Sequence, residues 1–95
     1  MNLNRKQICK LRGLAHHLSP AVQMGKAGYA DSLVKEVNRN LNDHELIKVR
    51  LSADDASEFN ALATDLATVT NANLVQTIGR VVVLYRRSEK AKIKV

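Results

Sequence analysis

Gly25-Lys26-Ala27-Gly28 sets two glycines around a lysine, where the apolar run Ala21-Val22-Gln23-Met24 gives way to polar residues. The chemistry available to such a stretch is anion binding. Glycine tolerates positive φ and leaves no side chain between a peptide N–H and whatever approaches it. If the loop runs into a helix, the unpaired N–H groups and the dipole of that helix start favour a negative group, and Lys26 adds a full charge. A plain turn needs the same glycines, so both readings stay open at this point. The spacing matches neither the GxxxxGK[ST] loop that holds a nucleoside triphosphate nor the GxGxxG of a dinucleotide site.

The other reactive side chains form no recognisable constellation. His16 and His17 are adjacent, His44 stands apart, and Cys9 is the single cysteine. This spacing is not that of a metal site, and one cysteine cannot form an internal disulfide. Cys9 beside Ile8 reads as a small buried hydrophobe rather than a nucleophile. Neither a metal nor a cofactor is expected. Asp54, Asp55, Glu58 and Asp65 cluster with no histidine or basic residue near them in sequence, so no acid–base pair for catalysis is evident. Tyr29 and Tyr85 have the character to stack on bases, Tyr29 the more so because it adjoins the glycine loop. With three aromatics in the chain, base stacking cannot dominate any affinity.

Charge is distributed unevenly. The 95 residues carry a net charge of +6. Residues 1–50 hold nine basic and four acidic side chains, 51–70 hold four acidic and none basic, and 71–95 hold six basic and one acidic. That partition describes a two-faced molecule whose basic face suits a polyanion. No apolar run approaches the roughly 20 residues that span a bilayer, and the polar MNLNRKQ start does not resemble a signal peptide. The reading is therefore one cytoplasmic domain over residues 1–95, without membrane association or a small-molecule substrate, and monomeric.

The elements that must position these residues follow from periodicity. Asn4 with Gln7 forms a capping-box pattern before Ile8, Leu11, Ala15 and Leu18 at helical spacing, with Arg5, Lys6, Lys10 and Arg12 on the other side. Ser19-Pro20 ends that helix, and a short strand runs through Met24 to the glycine loop. Asp31 or Ser32 caps a second helix with Val34, Val37 and Leu41 inward and Lys35 and Arg39 sharing another stripe. It ends at a turn over residues 42–44. "LIKVRL" alternates strictly, with Ile47, Val49 and Leu51 on one face and Lys48 and Arg50 on the other. Phe59, Leu62, Ala63, Leu66 and Val69 define a third helix, followed by a strand over 74–78, a tight connection at Gly79-Arg80 and a strand over 81–85. The tail from about residue 88 is basic and reads as loosely ordered.

The order α-β-α-β-α-β-β predicts an α/β fold, a single two-layer domain in which three helices pack on a small four-stranded mixed sheet. An open sheet face would bear Gln23, Lys48 and Arg50.

Together, "LRGLAHHLSPAVQMGKAGYADSLVKEVNRNLNDHELIKVRL" and "ANLVQTIGRVVVLYRR" resemble the CRM domain, the chloroplast RNA splicing and ribosome maturation module, in its stand-alone bacterial form. The LAH segment, VQxGKxG, HELIKV and VQxIGxxxxLYR occur in the right order over nearly the whole chain. The resemblance implies a non-catalytic RNA-binding protein associated with precursors of the large ribosomal subunit. It also implies a sandwich similar to the C-terminal domain of a bacterial translation initiation factor, with a KH-like GXXG loop that clamps a nucleotide backbone. Gly25, Lys26 and Gly28 carry that motif, Ala27 completes the loop, and Tyr29 stands where an aliphatic residue is expected in relatives. Arg80, Arg86 and Arg87 join the basic residues named above as expected RNA contacts. Two other classes compete with this reading. An RNA-processing or modifying enzyme would turn over labelled RNA, and a basic protein-interaction adaptor would lose RNA to excess acidic polypeptide.

Overall fold

Asn4 closes the capping box: its side chain accepts from the Gln7 N–H at 2.8 Å, and the Gln7 side chain accepts from the Asn4 N–H at 2.9 Å. It opens α1 (Arg5–Ala15) in the computed structural model, which describes residues 2–95. There follow β1 (Val22–Gln23), α2 (Asp31–His44), β2 (Leu46–Arg50), α3 (Ala56–Val69), β3 (Asn73–Ile78) and β4 (Val81–Tyr85). The sheet order is β1-β2-β4-β3, with β1 parallel to β2 and the other neighbours antiparallel. The α/β class, the element order and the four-stranded mixed sheet are those expected from sequence.

The helices divide between the two faces of the sheet. Val22, Ile47, Val49, Val82 and Leu84 pack with α2 and α3 through Leu33, Val37, Leu41, Phe59, Ala63 and Leu66. The alternate residues Leu46, Val83 and Tyr85, with Val75, pack with Leu11 and Ala15 of α1. The two layers expected are thus joined by a third over part of the second face. The physical reason lies in "VVVLY": a strand apolar at every position must be covered on both sides. Cys9 lies exposed rather than buried. Successive helical residues are rotated by about 100°, so position 9 turns away from the sheet where Leu11 and Ala15 face it.

Two helix ends differ from expectation. Ala30, not Asp31 or Ser32, is the N-cap of α2, and no side chain caps it. At the other end α2 continues through residues 42–44 to Glu45, whose φ of 67° reverses the chain.

Glu45 also corrects the picture of the tail. Its buried carboxylate accepts from the backbone N–H groups of Ser88 at 3.0 Å, Lys92 at 3.0 Å and Ile93 at 2.7 Å, and from the Ser88 hydroxyl. Ile93 and Val95 pack on the α1 side of the core, and Lys92 Nζ donates to Asp43 O at 2.7 Å. The tail is docked because one carboxylate satisfies several peptide N–H groups together. Burial alone would raise the Glu45 pKa, but the hydrogen bonds from Ser88, Ile93 and Lys92 outweigh it and hold the carboxyl at about 2, against an ordinary 4.5. A depressed folded-state pKa contributes stability that is complete above about pH 4.5 and is lost as the pH falls toward 2. Glu45→Gln should therefore cost about 2 kcal/mol at neutral pH. The gap in melting temperature from wild type should shrink between pH 5 and pH 2. A gap independent of pH would contradict the role given to the charge.

Candidate nucleic-acid interface

The glycine loop leaves β1 beside β2. The Met24 N–H donates to Arg50 O at 2.9 Å, and the Gly28 N–H then donates to Gly25 O at 3.0 Å, closing a turn with Lys26 and Ala27 exposed at its tip. Gly28 has φ 71° and is glycine for conformational reasons. Gly25 is not: its φ is not positive, and a Cβ built on it would meet nothing within 4 Å. The fold accepts a side chain there, so the bare backbone at Gly25 suits an external group that must come close.

Tyr29 fixes the loop to the body of the protein. It is half-buried against the core of α2 and α3, and its hydroxyl donates to Asp65 Oδ2 at 2.5 Å. Burial, then the adjacent Asp65 carboxylate, raise its pKa and keep the phenol protonated. Tyr29 is thus an anchor rather than the exposed stacking surface expected. Asp65, on the acidic helix α3, serves the loop through this bond. Tyr85, the other stacking candidate, lies entirely within the core.

After Ala30 the α2 ladder begins at the N–H of Leu33, which bonds Ala30 O at 3.0 Å. The preceding N–H groups and the dipole of this 14-residue helix direct positive potential toward the loop. Asp31, exposed in the first turn, offsets part of that field, which leaves Lys26 as the main positive charge of the turn itself.

Several of the expected basic residues gather at this end of the sheet. Arg50 pairs with Gln23, the last residue of β1, and with Val81, the first of β4. Arg80 occupies the β3–β4 turn, where its carbonyl accepts from the Leu51 N–H at 2.9 Å and its guanidinium lies 5.7 Å from the centre of the Phe59 ring. Lys48 lies two residues back along the Arg50 face, with Nζ donating to Leu18 O at 2.9 Å. That bond brings the segment after α1 alongside, and Arg12 is the basic residue in the last turn of α1.

Other candidates lie elsewhere. Lys35 and Arg39 are exposed on α2, while Arg5 and Lys6 are exposed at the start of α1, about 15 Å along the helix from its end. Lys10 donates to Lys94 O and so helps hold the tail. Arg87 follows β4 at the opposite end of the sheet, six residues or about 20 Å along the chain direction from Val81. Arg86 is withdrawn from the expected interface. Its guanidinium donates to Asn38 Oδ1 at 2.8 Å, Asn38 O at 3.1 Å, Asn42 Oδ1 at 2.9 Å and Thr70 O at 2.5 Å, tying α2 to the end of α3. These partners lie 16 to 48 residues away in sequence, which hides the role from any local pattern.

His16 and His17 stack edge to face at 5.4 Å, and among the described residues no group of three His, Cys, Asp or Glu side chains is placed to hold a metal ion. An apolar cleft of about 450 Å³ is lined by Leu14, Leu18, Ala21, Leu46, Ile47 and Ile93, with His44 as its one ionisable residue.

Comparison with known proteins gives consistent matches. The model of the CRS1 / YhbY (CRM) domain matches residues 3–86. The chain is 44% identical to an RNA-binding protein of Haemophilus influenzae over 92 residues, 97% of this chain and 93% of that one. It is 40% identical to the probable RNA-binding protein YqeI of Bacillus subtilis over 95% of this chain and 94% of its relative. The solution structure of the hypothetical protein SAV1595 from Staphylococcus aureus superposes with a TM-score of 0.84 at 37% identity, covering 96% and 95% of the two chains.

Proposed function

The chain belongs to the CRS1 / YhbY (CRM) domain family, and from that premise we propose that it is a non-catalytic RNA-binding protein. It holds ribosomal RNA in precursors of the large (50S) subunit and assists their assembly, as a monomer in the cytoplasm. The observation that carries the reading is the convergence of the GKAG turn with Arg50, Arg80 and Lys48 at one end of the sheet. There, backbone N–H groups free of side chains and several cations meet a phosphate chain together. The relatives named as RNA-binding proteins support the choice of polyanion. The apolar cleft offers a lone histidine without an acid–base partner, which favours binding over catalysis.

The test is a salt titration of affinity with two RNAs of equal length, a folded fragment of large-subunit precursor and an unrelated structured RNA. If about four to six phosphates are neutralised, log affinity falls against log salt with a slope of about −3 to −5. The precursor fragment should be preferred at every salt concentration. A slope near zero would refute phosphate binding, and equal affinities would refute the assignment to the precursor.

A further inference from the structure

The second face of the sheet is covered by α1 over only part of its area. At the loop end, one row crosses all four strands: Gln23 pairs with Arg50, Arg50 with Val81, and Val81 with Ile78. Paired residues share a face. Since Ile47 and Val49 face α2 and α3, alternation puts this whole row on the opposite side. Gln23 and Arg50 are exposed, Val81 is half-buried, and Ile78 keeps 50% of its surface in water. The next row holds Lys48, Val83 and Gln76: Val83 is buried beneath α1, while Lys48 and Gln76, the latter just past a bulge in β3, are half-buried at its sides. Neither row contains a carboxylate.

We infer that this open half-face is a subsite for an unpaired nucleobase of the RNA whose phosphates lie at the GKAG turn; the inference rests on the RNA-binding reading above. Ile78 and Val81 stand side by side as an aliphatic bed that phosphate contact alone does not need. Arg50 borders that bed with a planar cation able to stack on a base while remaining near its phosphate. Gln23 and Gln76 carry amide groups that donate to and accept from a base edge. The charge on this half-face is wholly basic, and its edge residue Gln23 stands two positions before Gly25 of the glycine loop. That adjacency singles out single-stranded nucleic acid as its occupant. A duplex keeps its bases stacked and offers such a bed no base face.

The experiment measures affinity of the full chain, at one salt concentration, for a single-stranded RNA and for the blunt duplex it forms with its complement. Ile78→Ala should weaken single-strand binding about fivefold and change duplex binding by less than about twofold. Ile78→Phe, which enlarges the stacking surface, should tighten single-strand binding. Melting curves establish that both variants fold, as an exposed position allows. The loop variant Lys26→Asp with Ala27→Asp should weaken both probes, so it reads the phosphate site separately. Equal loss on both probes from Ile78→Ala, or no loss on the single strand, would overturn the base subsite even with the loop result intact. So would concentration-dependent self-association that Ile78→Ala abolishes, because the patch would then be a contact between two copies.

Discussion

Replacing Lys26 and Ala27 together by aspartate should weaken RNA binding by about 2 kcal/mol or more, roughly thirtyfold, with the melting curve unchanged. Both glycines remain, so the backbone conformation of the turn is preserved. Both substituted side chains are exposed at its tip, away from either core cluster. What changes is the sign of the charge where a phosphate approaches, and loss of the Lys26 contact adds to repulsion from two carboxylates. The control is Lys90→Asp with Lys94→Asp, two exposed residues of the docked tail. It alters net charge by more than the loop variant does, yet should cost less affinity, about 1 kcal/mol. If both double variants bind equally well, the turn is only a turn, and Gly25 and Gly28 have no part in binding.

Arg86→Ala should destabilise the fold by about 3 kcal/mol. Burial pulls the Arg86 pKa down, but carbonyl and amide oxygens surround the guanidinium and keep it charged. Truncation removes four hydrogen bonds and leaves the carbonyls of Asn38 and Thr70 without this donor at the junction of α2 and α3. Lysine cannot replace it, because one ammonium lacks the forked geometry that reaches both helices. Arg86→Lys should therefore lose most of the same stability in chemical denaturation. At a temperature where the variants remain folded, their RNA affinity should stay near wild type. A stable Arg86→Ala protein that fails to bind RNA would return Arg86 to the interface.

These two residues mark what the sequence could and could not disclose. Lys26 was legible because its neighbours in the chain define its chemistry: a glycine on each side of a two-residue tip, a strand before and a helix after. The strand at residues 46–50 and the capping box at Asn4 and Gln7 were legible for the same reason, since period-two alternation and an i to i+3 exchange are local signals. The structural role of Arg86 has no local signal, because its bonds to Asn38, Asn42 and Thr70 exist only after α2, α3 and β4 have packed. Glu45 and the tail were hidden likewise. A charged residue among "NDHE" looks like a polar turn until residues 88–93 arrive to donate their N–H groups. The placement of α1 was partly visible. An uninterrupted apolar run in β4 signals burial on both faces, although it does not say which helix provides the second cover. Tyr29 shows the limit of residue type as a guide: an aromatic beside a glycine loop can fasten that loop to a carboxylate 36 residues away.

The central claim is that RNA is held at the end of the sheet where the glycine turn, Arg50 and the β3–β4 hairpin meet. The most direct measurement is amide chemical-shift mapping of the isotopically labelled chain titrated with RNA. The account predicts the largest changes at residues 25–28, at Arg50 and at residues 78–81, with little change at Glu58 and Ala61 on the exposed side of α3 or at Arg87 beyond the far end of β4. Changes confined to α3, or centred on Arg87 and the tail with the glycine turn unmoved, would contradict it.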